Sequence, residues 1–194
     1  MITAPLPKFD YPRKKWTVAD CRFLQENGLL EGGRYELIEG DIVFKMAQGN
    51  PHKTAVSLTL IELIRIFAGD TLRSQADIGV GQSDKYNEPE PDIAILRGAA
   101  RDYTAKNPSP EEDVLLAFEA SVSSLSGDLT VKAGIYARQK IREYWVLDVE
   151  GRRLHVFRAP MGGDYATHDV LSDADSVSPL AAPGATVRVA DLLP

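Results

Sequence analysis

The sequence offers almost nothing for covalent cross-linking. Its 194 residues include one cysteine, Cys21, so no intrachain disulfide can form, and a reducing cytoplasm is the expected setting. Cys21 falls among expected helix positions and reads as an ordinary core or helix residue. No apolar run approaches the roughly 20 residues needed to span a bilayer. The opening stretch, MITAPLPKFDYPRKKW, lacks the apolar centre of a secretory signal, so neither export nor membrane insertion is expected. A cation excess is missing as well: 22 Lys and Arg stand against 28 Asp and Glu, for a net charge of −6. That excludes a general phosphate-coating protein, whose affinity rests on Lys and Arg, but leaves room for a local basic groove. Lys14, Lys15, Arg138, Lys140 and Arg142 are the candidates for such a phosphate track, with solvated surface as their plain reading. Repeats, low-complexity tracts and dividing linkers are absent too. The expected organisation is an N-terminal arm over 1–16 and a single domain over 17–194.

What is present is a globular composition, 44% hydrophobic and 26% charged, and one stretch around which the chain is organised. Val114 to Phe118 is an apolar run that ends in Glu119. A Ser-rich bend follows, Ser121 to Gly127, then a helical pattern, Asp128 to Gln139, then a second apolar run, Tyr144 to Leu147. Apolar, bend, helix, apolar predicts a β-α-β unit whose strands are buried on both faces. A carboxylate in such a strand is costly to desolvate unless something cationic compensates it, so Glu119 demands a partner.

The rest of the chain supplies the surrounding elements. Thr17 is a fair N-cap for a helix over 18–25, closed by Asn27-Gly28. Glu31-Gly32-Gly33 reads as a loop. Strands over 34–38 and 41–45 flank Glu39-Gly40, a tight hairpin turn. Pro51 and His52 open an apolar helix that carries Val56, Leu60, Leu63, Ile64 and Phe67 and is stopped by Gly69. Leu72 to Val80 suggests one strand or two short ones, and Asp92 to Leu96 a short buried strand with an acid at its mouth. A loop with a possible helical turn covers 101–113. Strands are expected over 153–158, 165–171 and 186–189.

Chemistry is expected where the strands end. Asp92 and Glu119 sit at the mouths of two successive buried strands, Glu36 lies in the first strand, and Lys132 lies on the central helix. Neighbouring carboxylates repel, which raises a pKa unless something relieves them. Mg²⁺ or Mn²⁺ would do so, since hard oxygen ligands suit those ions, and a metal so held can acidify a water for attack on a phosphodiester. The spacing Asp128-x-x-x-Lys132-x-x-x-Tyr136 puts these residues on one helical face. Each has a plain structural reading beside the chemical one. Asp92 could be a strand-entry turn, Glu119 a satisfied buried ion pair, Lys132 with Asp128 a surface pair, Glu36 solvent-facing and His52 a helix cap. His155 and His168 suggest no role, and Tyr136, Tyr144 and Trp145 read as core or interface.

Taken together, several of these segments resemble one family. Tyr35-Glu36-Leu37-Ile38-Glu39-Gly40-Asp41-Ile42-Val43, His52 opening a helix, and Glu90-Pro91-Asp92-Ile93-Ala94 belong to the likeness. So do Glu119 with Ser123-Ser124-Leu125, the Asp128/Lys132/Tyr136 spacing, and Glu143-Tyr144-Trp145-Val146-Leu147-Asp148. In that order, over residues 17 to 192, they resemble the bacterial restriction endonuclease domain family, a branch of the PD-(D/E)XK nuclease superfamily. The resemblance implies an α/β (α+β) restriction-endonuclease-like core, a mixed β-sheet flanked by helices with the site at one sheet end. It implies that Asp92 and Glu119 hold the metal, with Glu36 as an additional acid. It further implies that Lys132 replaces the lysine usually found two residues after the second acid, where Ser121 stands. His52, Gln75, Ser121, Asp128 and Tyr136 would form the polar surroundings. The implied function is a Mg²⁺-dependent (or Mn²⁺-dependent) endonuclease acting on DNA as a cytoplasmic homodimer. The alternatives are a non-catalytic nucleic-acid- or protein-binding accessory protein that keeps the fold, and a hydrolase of RNA or a small phosphoester.

Overall fold

The computed structural model describes residues 12–30, 34–45, 48–67 and 69–194. The expected loop Glu31-Gly32-Gly33, and the N-terminal arm up to residue 11, lie outside the described residues. The last residues of the arm, 12–16, lead onto the fold: Trp16 N–H donates to Gly40 O at 2.8 Å. Helix α1 (Val18–Glu26) begins in a capping box, in which Thr17 Oγ1 accepts from Asp20 N–H and the Asp20 carboxylate accepts from Thr17 N–H. Gly28 follows with φ +66°, the left-handed residue that ends a helix.

A hairpin comes next. β1 (Tyr35–Ile38) and β2 (Asp41–Phe44) pair antiparallel as a two-stranded sheet of their own. Glu39 and Gly40 both have positive φ, as a two-residue hairpin turn that matches the strand twist requires. Leu37 packs with Val18 and Cys21, so the hairpin and α1 share a small core.

The main sheet has six strands in the order β3-β4-β5-β6-β7-β8. They are β3 (Leu72–Ser74), β4 (Ile93–Leu96), β5 (Val114–Ser121), β6 (Glu143–Asp148), β7 (Arg153–Met161) and β8 (Asp164–Ser172). β5 and β6 run parallel and the other neighbours antiparallel, so the sheet is mixed. The parallel pair is the predicted β-α-β unit. Its crossover is a helical segment over 125–138, here α3, made of a turn at Leu125–Gly127, a π-helical stretch at Asp128–Lys132 and an α-helix at Ala133–Arg138. One sheet face carries Ile93, Phe118, Trp145 and Val156 and is covered by Ala55 and Leu63 of α2 (Asn50–Ile66), with Val187 and Leu192 from the chain's last residues. The other face carries Ala94, Ala117, Tyr144 and Val146 and is covered by Ile135, Tyr136 and Ala137 of α3. Period-2 alternation sorts each strand's side chains between the two layers. Two short strands, β9 (Ser176–Val177) and β10 (Val187–Arg188), pair near the chain's end. Among the described residues, no helix is long and apolar enough to cross a membrane.

Several elements have other bounds than expected. The 72–80 strand stops at Ser74, because Gln75 turns to φ +48° and Gly79 to φ +87°. Asp77 reinforces the break by accepting Gly79 N–H at 2.7 Å. The 186–189 strand is only Val187–Arg188, and the chain then turns into a 3₁₀ helix. α2 ends at Ile66, before Gly69. The central helical segment begins at Leu125, inside the expected bend.

At Gly79 the fold requires a glycine because backbone crowds the Cβ position. A Cβ there would sit 1.9 Å from Pro108 O, in a left-handed backbone conformation. Gly79→Ala should therefore lower the free energy of unfolding by at least ~1–3 kcal/mol, the cost of one strained residue, with the clash added. Urea melts of the two proteins check this; equal midpoints would show that the 75–80 loop can move away.

Candidate active site

The alternation that sorts the sheet also gathers its acids. Glu119 shares its side of β5 with Ala117, beneath α3, and Asp92 precedes Ile93 on the side shared with Ala94 and Leu96. Asp92 is 2% exposed, Glu119 4% and Glu36 7%. Asp92 is fixed to the neighbouring strand: its Oδ2 accepts Ala120 N–H at 3.0 Å, one residue beyond Glu119. The same oxygen lies 2.9 Å from His52 Nε2, at the start of α2, and Gln48 Nε2 reaches Oδ1 at 3.4 Å.

Lys132 enters from α3. Its Nζ donates to Glu119 Oε1 at 2.8 Å and to Glu36 Oε1 at 3.0 Å, and lies 3.8 Å from Asp128 Oδ1. The three residues spaced by four on α3 therefore all serve this corner. Asp128 accepts from Ser121 Oγ and Ser124 Oγ at 2.5 Å each, and Tyr136 OH donates to Glu119 Oε1 at 3.4 Å. Ser121 is thus no substitute lysine. It tethers the carboxylate that faces one.

The electrostatics are those of a buried corner with more carboxylates than ammonium groups. Burial pushes the Glu119 carboxyl well above its ordinary value, and the charges of Asp92, Asp128 and Glu36 add to this against the pull of Lys132. Burial by itself would lower Lys132, but Glu119, Glu36 and Asp128 around it win, and the ammonium is held charged above the ordinary lysine value. Asp92 goes the other way. Burial would raise it, yet hydrogen bonding and charge from His52, with Ala120 N–H, hold it below the ordinary aspartate value. Tyr136 is kept neutral, first by burial and then by Glu119.

All the sequence-predicted site residues lie in or beside this corner, Gln75 at one remove: its Nε2 donates to Gln48 Oε1 at 3.1 Å and its Oε1 accepts from Arg34. Sequence reasoning missed Lys45, Gln48, Arg34 and Glu90. Lys45 Nζ is 3.4 Å from Glu36 Oε1 and donates to Glu90 O at 2.7 Å. The signal was available: Glu36 pairs with Val43, so Lys45, two residues on, falls on the same face of the hairpin. The cations considered for a phosphate track are all exposed, in keeping with their plain reading as solvated surface. Arg138 pairs with Glu39, Lys140 with Glu111 at 2.9 Å and Lys14 with Asp20 at 3.1 Å, while Lys15 lies over the Tyr86 ring. Those cations are already answered by acids or a ring. Arg142 has no assigned part in either arrangement.

The donors suit a hard divalent cation. Among the described residues no three His, Cys, Asp or Glu side chains are close enough to form a ready cage. Mg²⁺ does not need one, since it commonly binds through one or two carboxylates, waters and a substrate phosphate. Asp92 Oδ2 and Glu119 Oε1 are committed to fixed donors, Asp92 Oδ1 has the long contact from Gln48 Nε2, and the excess of negative charge around Glu119 is what a cation would relieve.

Comparison with known proteins bears on the same region. Residues 23–190 match the family model Uma2, described as "Putative restriction endonuclease". No curated protein matches. Among solved structures, one titled a putative nuclease belonging to DUF820, from Anabaena variabilis, is similar, with a TM-score of 0.61 and 16% sequence identity. The match covers 87% of this chain and 96% of that one. At that identity the likeness speaks for the fold.

Proposed function

The chain belongs to the putative restriction endonuclease family, and from that premise we propose that it is a metal-dependent endonuclease that hydrolyses DNA phosphodiester bonds. The observation that carries this reading is the convergence of Lys132 on Glu119 and Glu36, at 2.8 and 3.0 Å, beside the anchored carboxylate of Asp92. In this reading Asp92 and Glu119 hold Mg²⁺ or Mn²⁺. When bound, such an ion acidifies and orients a water for attack and neutralises charge on the phosphate. Asp92 suits the task because it stays ionised. His52 and Ala120 N–H orient it. Glu36 Oε1 already accepts from Glu90 N–H, Lys132 and lies by Lys45, so its contact with a cation would run through its other oxygen, directly or by way of a water. Lys132 supplies a fixed positive charge where the phosphate becomes more negative in the transition state. At ~4 Å and an effective dielectric of ~20, that attraction is on the order of 4 kcal/mol. Tyr136 and Asp128 keep the ammonium and Glu119 in register.

Cleaving both strands of a duplex by equivalent sites calls for two copies of the chain related by a two-fold axis, and cytoplasmic DNA would be the substrate. The pairing of Arg138, Lys140 and Lys14 with acids favours a second reading, an accessory protein that keeps the fold without cutting. Metal supply separates the two. Metal-stripped protein is expected to leave supercoiled plasmid intact, to nick it when Mg²⁺ or Mn²⁺ is returned, and to give a Mn²⁺ binding isotherm in calorimetry. Absence of Mn²⁺ binding, with DNA and without it, would overturn the nuclease reading in favour of the second.

A further inference from the structure

We propose that Lys45 is a positioning residue of this site: with Glu36 it grips the backbone of Glu90 and thereby sets the place of Asp92, two residues on. The proposal rests on the reading of Asp92 as a cation-holding acid, while the grip itself can be tested without it.

The hairpin β1-β2 is not a strand pair of the main sheet, so something else must seat it against the site. Arg34, Glu36 and Lys45 fall on one of its faces, since Glu36 is opposite Val43 and Lys45 N–H donates to Arg34 O at 2.9 Å. That face meets the segment leading into β4. Glu36 Oε1 accepts Glu90 N–H at 2.7 Å, and Lys45 Nζ donates to Glu90 O at 2.7 Å. Both backbone groups of Glu90 are therefore satisfied by side chains of the hairpin, much as a neighbouring strand would satisfy them. Glu88 N–H to Leu37 O at 2.8 Å and Arg34 to Glu90 Oε2 at 2.5 Å extend the seam.

Pro91 makes this grip consequential. Its ring fixes its own φ and restricts Glu90 to extended backbone. With Glu90 held at both polar groups, little freedom remains before Asp92. Lys45 is itself held. Its side chain is 13% exposed, with Nζ 3.4 Å from Glu36 Oε1 and 3.9 Å from Glu90 Oε2.

The test compares full-length wild type with Lys45→Met and the conservative Lys45→Arg. The readouts are amide exchange at Glu90, Mn²⁺ affinity by calorimetry, and kcat and KM for duplex cleavage. Lys45→Met is expected to speed Glu90 exchange by about tenfold or more and to weaken Mn²⁺ binding and kcat by roughly 10–100-fold, the usual range when a supporting partner of a metal ligand is lost. KM and its salt dependence should stay near wild type, and Lys45→Arg should recover part of each loss. Unchanged Glu90 exchange would overturn the grip. A raised KM with a flattened salt dependence and unchanged kcat would overturn it too, and make Lys45 a phosphate contact. A wild type that neither binds Mn²⁺ nor cleaves would sink the nuclease reading, and Glu90 exchange would still decide the grip. If Lys45→Met does not fold, the double variant Lys45→Met/Glu36→Gln, which removes the donor to Glu90 O without leaving the Glu36 charge unanswered, is compared with Glu36→Gln alone; faster Glu90 exchange in the double variant supports the grip and equal exchange overturns it.

Discussion

Glu119→Gln should reduce DNA hydrolysis by on the order of 10³-fold, the scale of losing a charge-stabilising group at a reacting centre, while leaving the metal-free protein at least as stable as wild type. The two halves have one cause. Glu119 is buried among Asp92, Asp128 and Glu36, and its negative charge is unwelcome until a cation arrives. A glutamine of nearly the same shape can still accept from Lys132, which keeps Glu36 at 3.0 Å. The sign with pH follows. Glu119 in the folded chain holds its proton above 4.5, where an ordinary glutamate has lost it. Its contribution to stability is therefore complete below that value and is lost as pH rises through the folded value. Metal-free wild type should fall progressively behind Glu119→Gln in thermal midpoint as pH rises above the ordinary glutamate value of 4.5, and wild-type affinity for Mn²⁺ should rise in the same direction as proton and cation compete. Parallel pH profiles for the two proteins would disprove the account of Glu119.

Lys132→Met is expected to be damaging in both respects. Removing one partner of a buried ion pair leaves the other unanswered, at about 3–5 kcal/mol. Here the abandoned carboxylate is Glu36, with Asp128 nearby, Glu119 loses its hydrogen-bond donor, and Lys132 is only 12% exposed. Activity should fall by about 10²–10³-fold with the loss of the fixed charge facing the phosphate. The diagnostic result is the response to metal. Because a divalent cation can take over part of the missing positive charge, Mg²⁺ should raise the melting midpoint of Lys132→Met more than that of wild type. A variant as stable as wild type in chelator, or one indifferent to Mg²⁺, would mean that the carboxylates find other compensation.

How much of this was legible beforehand depends on the range of the interaction. Glu39-Gly40 demanded a tight turn, and the apolar runs around the central helix demanded parallel strands. The spacing of Asp128, Lys132 and Tyr136 put three side chains on one face even though the stretch from Asp128 to Lys132 is π-helical. Local conformational preference and burial period carried those readings. They failed over 75–80, where a left-handed Gln75 and the approach of Pro108 to Gly79 cut a strand short, since no local pattern reports a contact made with residues some thirty positions away. The partners of the surface cations were illegible for the same reason: the acids that answer Arg138 and Lys140 are Glu39 and Glu111, remote in sequence.

The sequence alone determined which residues had to be explained: a carboxylate closing a buried strand, an acid after a proline, and a lysine on the intervening helix, because the cost of burying charge is a property of the residue and its apolar neighbours. Only the tertiary structure decided who compensates whom. It set Lys132 between Glu119 and Glu36, Asp92 on the Ala120 amide and His52, and Lys45 on Glu90. Electrostatic compensation acts over a few ångströms of space, and chain order does not encode that distance until the sheet and its two helical layers have closed.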